Sequence, residues 1–268
     1  IRMIKLNRWQ WGRQLQWGIV LFVIFIFLNL FFFDTTAYFK SIANLVFSLI
    51  TLIIFTISTG STKFTEKRFK LTRQLLIWLS FCLVVTVSEI LIYNIPDNIY
   101  TVFTHSQFWA NTFFALSAAI FEESLCRGLF FSAFIGLGTY RSSKFNITKS
   151  AIYSSLLFGA LHSINLLSGP TTIVLQQMFS AIAIGTLFVV IRVVTNGLFF
   201  PILLHFVLDW GPLTSYSYNT DSSWVLTLTI FTIIFVVSTK TLSLLDQQLQ
   251  HLLIEIEKEN SIIDPNRN

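Results

Sequence analysis

The feature that most constrains this chain is a succession of about eight apolar runs, each near the roughly 20 residues a helix needs to cross a bilayer core. The connections between them are too short to hold a soluble domain. By residue number the runs cover 17–33, 42–60, 75–93, 108–135, 152–167, 173–191, 198–210 and 224–237. The fourth is too long for one perpendicular span, and the seventh is short. Composition agrees: 54% of the residues are hydrophobic and 12% charged, too little charge to cover a globular surface in water. In lipid each segment must satisfy its own backbone, so the expected fold class is all-α, a polytopic membrane protein with about eight transmembrane helices.

Lys and Arg in short connections stay on the cytoplasmic side, and here they alternate. Arg2, Lys5, Arg8 and Arg13 precede the first run, Lys63, Lys67, Arg68, Lys70 and Arg73 follow the second, and Arg141, Lys144 and Lys149 follow the fourth. The connections between those sites carry almost none, and 211–223 holds only Asp221. Both termini are therefore expected in the cytoplasm. The first run is longer than a signal-peptide core and no A-x-A-like site follows it, which predicts an uncleaved anchor. The net charge of +5 is loop chemistry, and no basic patch interleaved with aromatics suggests nucleic acid. Cys82 and Cys126 lie in separate runs without metal or disulfide spacing.

The expected organisation is one integral membrane domain over 1–240 and a cytoplasmic amphipathic tail over 241–268, where Leu242, Leu245, Leu249, Leu252 and Ile256 recur at helical spacing.

Against this background, "AIFEESLCRGLFF" stands out, because Glu122, Glu123 and Arg127 fall inside a span. A charge at mid-membrane costs about 2.5–3.5 kcal/mol; with Asp209 the set would cost on the order of 10 kcal/mol if unpaired and lipid-facing. Glu123 and Arg127 are four residues apart with the acid first, the favourable order for an ion pair. Glu122 is turned about 100° away and remains the spare carboxylate. "FGALH" places Phe158 four residues before His162 on the fifth run, and "HFVLD" puts His205 and Asp209 on one face of the seventh. Of four histidines, His105 and His251 lie outside the spans. Glu89, near the outer end of the third run, either snorkels to the interface, the favoured placement, or joins the site.

Two carboxylates and two imidazoles in a low-dielectric pocket can activate water, as a general base with oxyanion stabilisers or as ligands of a divalent metal such as zinc. Both routes point to hydrolysis. H-E-x-x-H and G-x-S-x-G are absent from the sequence, only one aspartate is deep enough for an aspartyl dyad, and nothing local would lower the Cys126 thiol pKa.

These residues resemble the motifs of the CAAX protease and bacteriocin-processing (CPBP, or Abi) family of intramembrane proteases, related to the type II CAAX prenyl endopeptidases. E-E-x-x-x-R is matched by Glu122, Glu123 and Arg127, F-x-x-x-H by Phe158 and His162, and H-x-x-x-N/D by His205 and Asp209, over about 108–211. The resemblance implies an endopeptidase of metallo- or glutamate type acting on a membrane-associated peptide or protein. Glu122 and His162 would activate water, and His205 with Asp209 would stabilise the oxyanion or orient the substrate carbonyl. Glu123 and Arg127 would hold the site together. A metal, if used, would sit among Glu122, His162, His205 and Asp209. An ionised Asp209 would repel an oxyanion, so it either carries a proton or orients His205. The implied setting is the bacterial cytoplasmic membrane, with bacteriocin immunity among the family's roles. A non-proteolytic scaffold or immunity protein and an ion-coupled carrier are the competing readings.

Overall fold

The computed structural model describes residues 8–66, 69–104, 107–212 and 223–263, with 252, 253 and 255–263 described by backbone alone. Arg2, Lys5, Lys67, Arg68, His105 and Asp221, and the side chains of Leu252 and Ile256, lie outside the described residues. The fold is all-α, with no strand element among the described residues. Among the described residues six helices are long and apolar enough to cross a membrane: α1 (Trp11–Phe31), α2 (Ala37–Thr59), α3 (Arg73–Ile92), α7 (Asn146–Leu161, continued by a 3₁₀ turn at His162–Leu167), α8 (Thr171–Thr195) and the first 28 residues of α10 (Trp224–Ile263). The chain is an integral membrane protein.

The over-long fourth run is one continuous helical path from α5 (Phe108–Glu122) through a π-helical segment (Glu123–Phe130) into α6 (Phe131–Tyr140). The short seventh run is α9 (Phe199–Asp209). Between α3 and α5, where the sequence suggested only a connection, lies α4 (Ile95–Thr104). Pro96 and Asp97 in its first turn suit a helix start, and Ile95 and Val102 are buried while Tyr100 and Phe103 are exposed. Ten residues are too few to register as a span.

Local chemistry sets the helix ends. The Thr36 and Thr72 side chains accept from the backbone N–H of Phe39 and Leu75, capping α2 and α3. Gly60, at φ +77°, ends α2 in the left-handed conformation open to glycine. Asn196 ends α8 at φ 58°. Its side chain accepts from the backbone N–H of Phe64 and Thr65 (2.8 Å each) and donates to the Thr65 carbonyl (3.0 Å), fastening the α2–α3 connection to α8.

The start of α7 is capped from another helix. Phe145 supplies no side-chain cap, and the Asp246 carboxylate of α10 accepts from the N–H groups of Ile147 and Thr148 (2.8 Å each) and from the Thr148 hydroxyl (2.6 Å). α10 runs through residue 240 without a break, and Leu242, Leu245 and Leu249 are buried in a core cluster with Leu75, Ile147, Leu187 and Phe231. Asp246→Ala removes a cap worth about 0.5–2 kcal/mol from the helix that carries His162, and a lower thermal midpoint in nanodiscs is the expected result.

A second core cluster surrounds the π segment: Phe55, Phe121, Leu125, Leu129, Phe130, Phe158 and Leu198. Exposed apolar side chains such as Phe27, Ile53 and Leu83 coat the outer helices, as expected of surfaces that meet lipid. Glu89 does not snorkel. It is 4% exposed, near the end of α3, a helix against which α10 and α4 both pack.

Candidate active site

Glu122 ends α5 and Glu123 opens the π segment. π-helical turns inside α-helices concentrate at functional sites. A π turn holds more residues than an α turn, so adjacent side chains diverge less in azimuth, and both carboxylates reach the same imidazole. His205 Nδ1 lies 2.8 Å from Glu123 Oε1, while its Nε2 lies 3.6 Å from Glu122 Oε2 and 3.3 Å from Asp209 Oδ2. The Arg127 Nη1 is 3.0 Å from the same Glu123 Oε1. The expected Glu123–Arg127 ion pair is present, and Glu123 additionally receives His205.

Burial separates the two glutamates. The Glu123 side chain is fully buried and Arg127 is 1% exposed, whereas Glu122 is 27% and Asp209 34% exposed. Glu122 and Asp209 therefore line the open side of the site, with the Glu123–Arg127 pair behind them. A carboxylate paired with a guanidinium is an acceptor only, so Nδ1 of His205 carries a hydrogen directed at Glu123. That leaves Nε2 facing two further carboxylates, an arrangement that holds a proton among Nε2, Glu122 and Asp209.

His162 begins the 3₁₀ turn just beyond α7. Its Nδ1 is 2.9 Å from the Phe158 carbonyl, one of the orphan acceptors at a helix end. A carbonyl only accepts, so Nδ1 carries the hydrogen, and in the neutral ring Nε2 is left as the basic nitrogen. Glu122 is within electrostatic range of His162, His205, Asp209 and Arg127. Glu122, Glu123, Arg127, His205 and Asp209 form one contact network, and His162 joins it through Phe158. That ring stands edge-on to His162 at 4.8 Å and His205 at 6.2 Å, and it carries the Arg127 guanidinium at 4.2 Å.

Phe188 of α8 escaped the sequence reading. It stacks on His205 (5.1 Å, 25°) and lies 4.9 Å from the Arg127 guanidinium, which Phe158 also contacts. One phenylalanine among many in an apolar run gives no signal of such a role. Trp210, next to Asp209, donates from Nε1 to the Thr112 hydroxyl (3.1 Å) and meets Phe103 of α4 edge-on, fixing the end of α9 against α5 and α4.

Among the described residues no group of three or more His, Cys, Asp or Glu side chains is arranged to hold a metal ion. Both nitrogens of His205 face carboxylates, and one nitrogen of His162 is engaged by a carbonyl. The set as arranged does not fit a metal, and no step below is routed through one. Cys126 is fully buried among Phe121, Leu125 and Leu129 and does not reach the open side.

Residues 104–211 match the family model described as Rce1-like, type II CAAX prenyl endopeptidase. That segment begins at the last residue of α4, ends just after α9 and contains every residue of the network. No curated protein and no solved structure matches the chain.

Proposed function

Taking residues 104–211 as an Rce1-like type II CAAX prenyl endopeptidase domain, we propose that this chain is an intramembrane endopeptidase that hydrolyses a peptide bond in a membrane-associated protein or peptide. The observation that carries the reading is the division of labour between adjacent carboxylates. Glu123 is locked between Arg127 and His205, while Glu122, partly exposed, faces the open side within electrostatic range of His162.

Water lying between Glu122 and His162 loses a proton to Glu122 as its oxygen attacks the scissile carbonyl carbon. The tetrahedral oxyanion receives a hydrogen bond from the Nε2 side of His205. In the resting site that nitrogen faces Asp209 at 3.3 Å; its hydrogen turns to the oxyanion as it forms, while Glu123 at Nδ1, 2.8 Å away, holds the ring in place. The proton held by Glu122 passes to the leaving amine, the C–N bond breaks, and a carboxylate and an amine are released.

The basic residues Arg8, Lys63, Lys70, Arg73, Arg141 and Lys144 gather at the end of the bundle that also holds Asp246 and Asn196. This supports a cytoplasmic N-terminus and tail.

The full chain in nanodiscs is expected to cleave at least one of a panel of membrane-anchored peptides, farnesylated CAAX peptides included, with new termini read by mass spectrometry. His162→Ala is expected to slow that cleavage by about 10²- to 10⁴-fold with the thermal midpoint unchanged. Cleavage undiminished in His162→Ala would remove His162 from the mechanism.

A further inference from the structure

Arg192, on α8, is the largest polar group the mechanism leaves unused. Its side chain is fully buried, and Nε, Nη1 and Nη2 have no hydrogen-bond partner among the described residues. Its guanidinium lies between the rings of Phe55 and Phe131, at 5.3 and 5.4 Å. A cation–π pair returns only part of what desolvating a guanidinium costs. Leucine or methionine would fill the same apolar slot without that cost, so packing alone does not account for an arginine there.

Its position on α8 points toward the site. Gly185, Phe188 and Arg192 stand at i, i+3 and i+7, on one face of the helix. At Gly185 the missing side chain makes room, since a Cβ there would lie 3.3 Å from Arg127 Nη2 and 2.8 Å from the Ser155 hydroxyl. Phe188 covers Arg127 and His205. Arg192 follows on the next turn of the same face, buried in the same interior as Glu123 and Arg127, where charges act on one another over longer distances than in water. The charges of the site call for such a group: Glu122, Glu123 and Asp209 are three carboxylates, against one guanidinium and one imidazole in direct contact.

We propose that Arg192 is a positioning residue of the candidate site, a second buried cation that acts on Glu123 without touching it and, with Arg127, keeps Glu123 as the acceptor that orients His205. What is being positioned rests on the endopeptidase reading; the coupling of Arg192 to Glu123 does not.

The test uses the full chain in nanodiscs and two measurements. In the first, thermal midpoints are compared for wild type, Arg192→Met, Glu123→Gln and the double variant. Removing a lone buried charge leaves Arg192→Met at least as stable as wild type, and the midpoint loss caused by Glu123→Gln is smaller in the Arg192→Met background, where no second cation remains to repel Arg127. Arg192→Gln, a second charge-free variant, behaves as Arg192→Met. In the second measurement, on whichever panel peptide wild type cleaves, Arg192→Met lowers kcat by about 10- to 100-fold with KM little changed, the scale seen for residues that orient catalytic ligands. Arg192→Lys retains most of the activity because the charge is kept.

Additive midpoints, destabilisation by both charge-free variants, or equal activity loss in Arg192→Lys and Arg192→Met would each overturn the proposal. If wild type cleaves nothing in the panel, the endopeptidase reading loses its support, and the cycle of midpoints still decides whether Arg192 acts on Glu123.

Discussion

Glu122→Gln abolishes peptide cleavage while leaving the protein folded: the expected loss in kcat is about 10²- to 10⁴-fold, with a thermal midpoint close to that of wild type. Glutamine keeps the size and hydrogen-bonding capacity of the side chain but cannot take a proton from water. Folding is spared because Glu122 is partly exposed and its closest charged partner, His205 Nε2 at 3.6 Å, keeps Asp209 at 3.3 Å. The competing reading of the chain as a non-proteolytic scaffold predicts a silent Glu122→Gln. The measurement is cleavage of the panel peptides by purified variants at matched folded amounts, with scanning fluorescence of the seven tryptophans reporting the fold. Undiminished kcat in a folded Glu122→Gln protein would sink the assignment of the general base.

How much of this site could be read from the sequence follows from what each residue costs. Glu122, Glu123, Arg127, His162, His205 and Asp209 announce themselves because ionisable groups in a span are expensive, and the Glu123–Arg127 pair follows from its spacing alone. The match over 104–211 agrees with the resemblance the three motifs suggested. The contact of His205 with both glutamates was not legible, since it depends on the π segment and on how α9 is rotated against α5, and neither is encoded in local spacing. Phe188 and Arg192 sit on α8, where only the packing of that helix against the π segment gives them a role. Glu89 was misplaced for a related reason: distance along α3 to the nearest connection says nothing about which helices pack against α3 and bury it.

The neighbouring carboxylate is expected to behave in the opposite way. Glu123→Ala leaves the Arg127 guanidinium, 1% exposed, without its ion-pair partner and deprives His205 Nδ1 of its acceptor. Removing one partner of a buried pair costs about 3–5 kcal/mol, a large share of the roughly 5–15 kcal/mol that holds a typical domain together. The aromatic faces of Phe158 and Phe188 cannot offset this, because they already contact Arg127 in the native state. If Arg192 acts on Glu123 as proposed, it deepens the loss, because two buried guanidinium groups then share the interior without that carboxylate. The expected result is a sharp fall in folded yield and thermal midpoint for Glu123→Ala, beside a Glu122→Gln variant that is stable and inactive. Two adjacent glutamates would then differ in kind, one needed for the fold and one for the chemistry. Equal stability of the two variants would mean that the Glu123–Arg127 contact carries no structural weight, and the division of roles at this site would have to be redrawn.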